Sequence, residues 1–469
     1  MERGAWIKVG KYFGTDGVRG KANEFLTPEL VYRLGRAGAQ IIAEKHAQPT
    51  MLIGRDTRVS GESLENALVA GILATGANVI KLGVVPTPAV AYLVKNTDAA
   101  AGVMISASHN PYYDNGIKFF DERGMKLADE VEAAIEALLD AGDVATVAGD
   151  AAGTVETDLV DEINVATASA DRVIDSDGLI QRYTDFLESS VESRLDGLRV
   201  VMDTANGAAY ELAPRVFRDL GAEVIVINNE PNGFNINERC GSTHLEGLID
   251  KVLAEKADLG FAYDGDADRL LAVAGSGEVI DGDQLLYICG KDLARHGKLN
   301  KQTIVCTVMS NLGFHRSLEE IGIATSQTRV GDRYVLEEMV ANGYNLGGEQ
   351  SGHLIFLDCN TTGDGILSSL KLAEVVVLRG ESLETLAGEM RKYPQLLENL
   401  RINDRAKFYN NNEIDAAIVE ANKHLGPDGR VLVRLSGTEP LLRVMVEGVD
   451  REQIELVLKE LIEKIKAAL

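Results

Sequence analysis

The sequence predicts an α/β protein of several domains that ends in a smaller α+β domain. The chain has 469 residues, which is more than one compact core usually accommodates. Short Val/Ile-rich runs alternate with helical stretches, as in α/β units with buried strands. The C-terminal part is different, because it gives two strand-like runs around a turn and then one amphipathic helix.

One pattern, an apolar strand followed by a polar loop, a helix and another strand, occurs three times. The copies begin at MLIGRDTRVSG, LRVVMDTANGAAY and TIVCTVMSNLGFH, and their helices are expected around Leu64–Ala74, Glu211–Leu220 and Leu318–Ile321. The loop after each first strand opens at the carboxyl end of that strand, where α/β folds gather their ligands. We favour three related domains over one large sheet.

The limits of the domains follow from changes in composition. An Ala/Asp/Thr-rich stretch, Ala141–Asp175, has few large apolar residues and indicates a boundary. Before it, Asp129 and Glu132 resemble a helix-capping pair. One apolar face of that helix is expected from Val131, Ile135, Leu138 and Leu139, and one face of the final helix from Ile454, Val457, Leu458, Leu461 and Ile465. We expect domains at 1–158, 159–260, 261–380 and 381–469.

The charge and the absence of long apolar runs exclude some classes of function. Lys and Arg total 47 against 72 Asp and Glu, for a net charge of −25, which opposes binding to nucleic acid. No run approaches the ~18–20 apolar residues that span a bilayer, and the first ten residues lack a signal-peptide pattern. We expect a cytoplasmic protein. The four cysteines form no CxxC and are expected to be reduced thiols.

A serine-containing segment, GVMISASHNPYYDNGIKFF, joins an apolar strand to a loop of small and polar residues. Small residues around Ser108 leave space for a phosphate, and a phosphoserine passes its phosphoryl group on if a metal and cations neutralise the developing charge. His109 and Lys118 are candidate catalytic groups, although a structural histidine and a surface lysine are the alternatives. By itself this segment is compatible with an ordinary loop.

Three aspartates alternate with small residues in DLGFAYDGDADRLLAV. Asp264, Asp266 and Asp268 repel one another unless they share a cation, and Mg²⁺ prefers such oxygen ligands while keeping positions for water or phosphate oxygen. The loop differs from an EF-hand, since the twelfth position is Gly275 and not Glu. A solvated acidic turn is the alternative, but the flanking apolar strands argue against it. Arg269 adds a cation beside the metal.

Two further loops carry groups suited to a sugar and to a phosphate. In GGEQSGHLIF, Glu349, Ser351 and His353 stand at every second position, so an extended segment would point them to one side, unless they belong to a buried polar strand. Upstream, VGDRYV supplies Arg333.

The last loop, in RLSGTEPLLR, offers backbone N–H groups, two hydroxyls and a guanidinium. These groups belong to Arg434, Ser436, Gly437 and Thr438. Together they predict an anion cradle rather than an accidental turn.

These four segments, in this order along the chain, resemble the α-D-phosphohexomutase superfamily from Lys11 to Glu447. KYFGTDGVRG, SASHNP, GEQSGH and RLSGTEPLLRVMVEG are similar to the branch that converts glucosamine 6-phosphate to glucosamine 1-phosphate, which feeds UDP-N-acetylglucosamine and cell-wall precursors. Leu435 stands where the commoner motif has proline.

The resemblance implies four domains around a central cleft, the first three of related mixed α/β fold. It implies that Ser108 is phosphorylated, and that a phosphoserine oxygen binds Mg²⁺ together with Asp264, Asp266 and Asp268. By the same resemblance, a hexose 1,6-bisphosphate would be the intermediate and activator, and small sugar phosphates would be the partners. The resemblance also suggests a homodimer. Further residues are implied in three roles: Arg19, His109, Lys118 and Arg269 around the reacting phosphoryl group, Glu349, Ser351, His353 and Arg333 on the sugar, and Arg434, Ser436, Gly437 and Thr438 on the second phosphate.

Three alternatives are open. A sibling phosphoglucomutase or phosphomannomutase would use the same groups, but those usually carry Met where this chain has Gln350. A phosphatase would need the serine and the metal but no second phosphate site. A sugar-phosphate sensor would need no nucleophile.

Overall fold

The structure, a computed structural model, describes residues 10–14, 16–141, 172–174, 176, 178–402, 404, 407–408, 411–435 and 441–469. They form four sheets. The chain divides into two compact units, one of Met1–Val308 with Ser326–Ala387 and one of Met309–Thr325 with Gly388–Leu469. Most of the expected boundary stretch, residues 142–171, lies outside the described residues.

The first sheet has six strands in the order β1-β5-β4-β2-β3-β6. Strands β2, β3, β4 and β6 run parallel, and β5 is antiparallel to both β4 and β1. The strands are β1 Val18–Lys21, β2 Thr50–Arg55, β3 Asn78–Val84, β4 Ala101–Ile105, β5 Asp114–Asp121 and β6 Val173–Ile174. The helices are α1 Pro28–Ala43, α2 Gly61–Leu73, α3 Thr87–Lys95 and α4 Asp129–Asp140.

Helix α4 has the expected apolar face but not the expected cap. Ile135 and Leu139 are buried, and Val131 and Leu138 pack against the same core. The N-cap residue is Ala128, which makes no side-chain cap. The predicted capping role of Asp129 is therefore wrong, because its carboxylate instead forms an ion pair with Arg333.

The second sheet has the order β11-β10-β9-β7-β8, with β7, β8 and β9 parallel. Its strands are β7 Arg199–Asp203, β8 Glu223–Ile227, β9 Leu259–Tyr263, β10 Leu270–Ala274 and β11 Val279–Ile280. The accompanying helices are α5 Leu179–Ser189, α6 Leu212–Asp219 and α7 Glu246–Glu255.

The third sheet has the order β13-β12-β14-β15. Its strands are β12 Thr303–Thr307, β13 Ala324–Thr328, β14 Leu346–Gly348 and β15 Leu354–Phe356, with helices α8 Gly282–Arg295, α9 Leu312–Glu320, α10 Asp332–Asn342, α11 Gly365–Arg379 and α12 Leu383–Gly388. Helix α9 begins six residues before the predicted start at Leu318. The reason is the cap: the side chain of Asn311 accepts a hydrogen bond from the backbone N–H of Gly313.

The fourth sheet is antiparallel, in the order β16-β18-β17. It contains β16 Gln395–Arg401, β17 Gly429–Leu435 and β18 Leu441–Gly448, with helices α13 Asn412–Leu425 and α14 Arg451–Ala468. The predicted face of α14 is confirmed, since Ile454, Val457, Leu461 and Ile465 are buried and Leu458 packs against the same core.

The repeated strand–helix–strand pattern is confirmed, because β2/β3 and β7/β8 are parallel neighbours and β12 lies beside β13. The serine-containing loop follows β4 and the aspartate loop follows β9, so both start at the carboxyl ends of parallel strands. None of the four cysteines, all of which belong to the described residues, forms a disulfide bond. Among the described helices, none has the length and hydropathy needed to cross a membrane. The expected domain limits stay predictions.

Candidate active site

Ser108 lies in a loop, residues 106–113, that we call the serine loop. Its backbone has a φ of 53°, in the left-handed region that is uncommon for residues with a Cβ atom. The side chain is buried, and its Oγ donates a hydrogen bond to Oδ2 of Asp264 at 2.5 Å. The backbone N–H of Ser108 donates to Oγ of Ser106 at 2.9 Å. The predicted nucleophile and the predicted metal loop are thus in direct contact.

The metal loop, Asp264–Arg269, holds three buried carboxylates. Asp264, Asp266 and Asp268 each offer an oxygen, and these oxygens lie within 4.8 Å of one another. Two carboxylate oxygens of this loop, Oδ1 of Asp266 and Oδ1 of Asp268, are buried and have no hydrogen-bond partner among the described residues. Buried acceptors without partners are costly, and a hard divalent cation would satisfy them. This group of residues could hold a metal ion.

The carboxylates of the metal loop differ in their affinity for a proton. Burial, together with repulsion from Asp268 and Asp266, raises the pKa of Asp264 well above its usual range. Asp266 is equally buried, which alone would raise its pKa, but Lys118 and a hydrogen bond from Thr87 hold that pKa below the usual range. The repulsion on Asp264 is the strain that a shared cation would relieve.

Lys118, on β5, lies at the centre of the carboxylates. Its side chain is 2% exposed, and its Nζ lies 2.8 Å from Asp266 and 3.7 Å from Asp268. Burial opposes its charge, but Asp16, Asp266 and Asp268 raise the pKa above its usual value. The side chain of Lys118 is therefore a positively charged ammonium group at neutral pH.

Two charged residues of this site, Asp16 and Lys126, were missed at the sequence level. Asp16 lies 3.2 Å from Nζ of Lys118 and 2.5 Å from Nζ of Lys126. It also forms an ion pair with Arg19. Asp16 stands inside the GTDG segment that was noted only as part of a resemblance, and no local signal distinguished Lys126.

His109 and Arg269 lie together beside Ser108. Nδ1 of His109 is 3.5 Å from Oγ of Ser108 and accepts a hydrogen bond from Nη1 of Arg269 at 3.2 Å. Burial, assisted by the charges of Arg269 and Arg19, lowers the pKa of His109 to about 4. The imidazole is therefore neutral at pH 7.

The expected sugar segment is a hairpin, so the prediction of an extended segment is wrong. Strands β14 and β15 pair antiparallel, and the turn between them is closed by the backbone N–H of Glu349 donating to the carbonyl of His353 at 3.0 Å. Gly352 permits this turn with a φ of 93°. We call residues 346–356 the sugar hairpin.

The three predicted sugar residues are placed differently by the hairpin. Ser351 is exposed at the turn, and Glu349 accepts a hydrogen bond from the backbone N–H of Gly331 at 3.0 Å. His353 is buried, and its Nε2 accepts from the backbone N–H of Gly363 at 3.0 Å. In the neutral ring the proton is therefore on Nδ1, which lies 3.7 Å from Asp268. The hairpin thus contacts the metal loop.

The two other predicted ligand contacts are Arg333 and the loop that begins at Arg434, and the structure describes only part of that loop. Arg333 is ion-paired with Asp129 at 2.5 Å and with Glu337 at 3.0 Å. In the second unit, Arg434 on β17 stands directly opposite Arg443 on β18. Burial and that neighbouring charge lower the pKa of Arg434, as expected where cations converge for an anion. Ser436, Gly437 and Thr438 lie outside the described residues.

A buried hydroxyl, three carboxylates and converging cations are the groups that phosphoryl transfer needs, because its catalysis is mostly positioning and charge stabilisation. Arranged at the strand ends of mixed α/β sheets, they define a phosphotransfer enzyme. The same chain also matches four family profiles described as phosphoglucomutase/phosphomannomutase: α/β/α domain I over residues 10–145, domain II over 181–277, domain III over 281–393 and the C-terminal domain over 397–464. The chain belongs to this family and is a mutase.

Individual relatives agree with the family. The chain is 51% identical over 465 residues to the phosphoglucosamine mutase of Brevibacillus brevis, which covers 98% of this chain and 100% of the relative. A family protein from Burkholderia thailandensis has the same fold, with a TM-score of 0.79 at 23% identity and 97% coverage of both chains. An Aspergillus fumigatus N-acetylphosphoglucosamine mutase, solved with GlcNAc-6P and magnesium, has a TM-score of 0.67 at 19% identity and covers 98% of this chain and 96% of its own.

Proposed function

We propose that this mutase interconverts glucosamine 6-phosphate and glucosamine 1-phosphate, with Ser108 as the group that carries the phosphoryl. The observation that carries the proposal is the 2.5 Å contact between Oγ of Ser108 and Asp264 in a cluster of three buried carboxylates. The relative from Brevibacillus brevis, named phosphoglucosamine mutase and 51% identical, supports the amino sugar as substrate.

The site residues take the following roles in the proposal. Phosphorylated Ser108 transfers its phosphoryl group to the free sugar hydroxyl: the bond from phosphorus to Oγ breaks, the bond to the sugar oxygen forms, and the proton of the hydroxyl is balanced by one taken up at Oγ. The resulting 1,6-bisphosphate then reorients in the site and returns its other phosphoryl group to Ser108. Lys118 and Arg269, both positively charged, stabilise the transferring group. Glu349, Ser351 and His353 bind the sugar hydroxyls, and the loop from Arg434 to Thr438 binds the phosphate that is not transferred.

Mg²⁺ is the proposed metal, held by Asp264, Asp266, Asp268 and a phosphoserine oxygen. When bound, it neutralises charge on the transferring phosphoryl group. The buried Oδ1 atoms of Asp266 and Asp268, which accept no hydrogen bond from the described residues, support the fit, and the structurally similar Aspergillus enzyme was solved with magnesium. Arg19 and Lys118 balance the remaining negative charge.

The first experiment compares turnover of glucosamine, glucose and mannose 6-phosphates, with Mg²⁺ and a hexose 1,6-bisphosphate as activator. We expect glucosamine 6-phosphate to be converted fastest. Faster conversion of the glucose or mannose ester would favour the sibling phosphoglucomutase or phosphomannomutase, and inorganic phosphate without isomer would indicate a phosphatase.

The second experiment replaces the nucleophile. Ser108→Ala removes the only atom proposed to carry the phosphoryl group, so we expect turnover to fall by at least ~10³-fold. Ser276→Ala, in an exposed turn, is the matched control and should retain wild-type turnover. Normal turnover in Ser108→Ala would end the proposal.

A further inference from the structure

The backbone of the serine loop is held by four hydrogen bonds to two carbonyl groups. Nη2 of Arg58 donates to the carbonyl oxygens of Ser108 at 3.1 Å and of Asn110 at 2.5 Å. Nδ2 of Asn237 donates to the same two oxygens, at 2.9 Å and 3.0 Å. An NH₂ group has two hydrogens and a carbonyl oxygen has two lone pairs. Both hydrogens of each NH₂ group and both lone pairs of each carbonyl oxygen therefore take part in these bonds. We call Arg58 and Asn237 the carbonyl clamp.

Both donors of the carbonyl clamp are themselves fixed. The side chain of Arg58 is 0% exposed and forms an ion pair with Asp56, which also accepts the backbone N–H of Arg58 at 2.9 Å. Asn237 has a left-handed backbone, with a φ of 58°, and its N–H donates to the carbonyl of Ala205 at 2.9 Å. Arg58 follows β2 of the first sheet and Asn237 follows β8 of the second. The two donors therefore reach the loop from different sheets.

The metal loop packs directly against the carbonyl clamp. A Cβ atom on Gly265 would lie 2.6 Å from the carbonyl oxygen of Ser108 and 2.9 Å from Nδ2 of Asn237. Only a glycine fits at this distance without displacing one of them. The clamp thus lies where the serine loop and the metal loop touch.

The carbonyl clamp accounts for the backbone conformation of the nucleophile. A left-handed conformation is disfavoured for residues with a Cβ atom and persists where the surroundings impose it. The carbonyl of Ser108 and the N–H of His109 belong to the same trans peptide, and in such a peptide these two groups point in opposite directions. Holding the carbonyl of Ser108 therefore also fixes the direction of the N–H of His109. The clamp therefore sets the orientation of the whole peptide next to Oγ of Ser108.

We propose that Arg58 and Asn237 are positioning residues, which hold Ser108 in the conformation required for phosphoryl transfer. This inference rests on the proposed function, in which Ser108 both accepts and donates the group. They act through the backbone of Ser108, whereas the proposed sugar contacts, Glu349 and His353, lie in the sugar hairpin. Loosening the clamp should therefore slow phosphoryl transfer in both directions and leave sugar binding nearly unchanged.

The test uses Asn237→Gly, because glycine loses the amide but keeps the left-handed backbone. We expect kcat, and the rate at which glucose 1,6-bisphosphate phosphorylates Ser108, to fall about 10- to 100-fold, while KM stays within about 2-fold. Asn237→Asp keeps the shape but not the donors and should behave alike. Asn23→Gly, at an exposed left-handed asparagine with a φ of 64°, is the matched control and should leave both rates unchanged.

Each outcome decides the proposal. A raised KM with normal kcat, or an equal loss in Asn23→Gly, would overturn it. If Asn237→Gly does not melt cooperatively, the test passes to Arg58→Lys, which keeps the charge beside Asp56 and must show the same loss of kcat. If Arg58→Lys is also unfolded, the two side chains are structural only and the inference is wrong. A wild-type protein not phosphorylated at Ser108 would contradict the proposed function itself, whereas normal phosphorylation in every variant would contradict the carbonyl clamp alone.

Discussion

At the scale of single residues, the site contains a ring of polar side chains, in which Asp16, Asp332 and Asp268 alternate with Lys126, His353 and Lys118. Asp16 links two lysines of this ring, because its carboxylate contacts both Lys118 and Lys126. The ring continues to the sugar hairpin, since Lys126 lies 2.5 Å from Asp332, and Asp332 lies 3.7 Å from His353. Through Lys118, which also contacts Asp266, these ion pairs connect the metal loop to the sugar hairpin.

Asp16→Asn tests this ring through its pH dependence. Burial opposes the charge of Asp16, but Lys118, Lys126 and Arg19 hold its pKa well below 3.8. A depressed carboxyl pKa contributes stability above the unfolded pKa, which is lost as the pH falls through the folded pKa. We expect Asp16→Asn to lower the free energy of unfolding by about 3 kcal/mol at neutral pH, and by less at about pH 3.

Urea unfolding at both pH values measures this difference. Asp98→Asn, in an exposed turn, is the control and should change the free energy of unfolding by no more than about 0.5 kcal/mol. A loss for Asp16→Asn that is equally large at both pH values would show that the charge of Asp16 is not responsible.

At the scale of elements, the sugar hairpin is hydrogen-bonded to β10, the strand that follows the metal loop. The backbone N–H of Leu270, the first residue of β10, donates to the carbonyl of Gly352 at 2.9 Å. A Cβ atom on Gly352 would lie 2.1 Å from the carbonyl oxygen of Leu270. The position of the hairpin therefore depends on a glycine for two reasons, the left-handed turn and the close approach of β10.

Gly352→Ala should displace the sugar hairpin. The left-handed backbone alone costs about 1–2 kcal/mol for alanine, and the clash with β10 adds at least about 1 kcal/mol. Gly380→Ala is the matched control, because Gly380 also has a positive φ, 61°, but has no atom within 4 Å of a new Cβ. Urea unfolding should show the larger loss for Gly352→Ala, and steady-state kinetics should show a raised KM in that variant only. Equal losses in the two variants would contradict the close approach.

At the scale of the whole molecule, the proposed metal joins loops from two sheets. Ser108 follows β4 in the first sheet, and the three aspartates follow β9 in the second. A cation bound between these loops binds the folded chain only, so it stabilises the fold by mass action.

Mg²⁺ should therefore raise the melting temperature. At a hundredfold excess over its Kd, the expected gain in the free energy of unfolding is about 2.7 kcal/mol. KCl at equal ionic strength controls for screening. Asp268→Asn removes one ligand and should lose most of the gain. A gain in Asp268→Asn as large as in the wild-type chain would contradict the proposed ligands.

The sequence by itself determined the chemistry of the individual loops and the order of the strands and helices. Alternating aspartates and a serine after an apolar strand are local patterns, and local patterns report which groups are available. The fold family could also be predicted, since its four motifs span nearly the whole chain.

Only the tertiary structure decided which distant residues complete the site. Asp16 forms ion pairs with Lys118 and Lys126. Arg58 and Asn237 both donate hydrogen bonds to the carbonyl oxygen of Ser108. These contacts form because the packing of sheets and loops brings together residues that are far apart in the sequence. The left-handed backbone of Ser108 is likewise invisible in the residue types. The backbone of Ser108 is held by hydrogen bonds from Arg58 and Asn237, which exist only once the elements that carry them have packed.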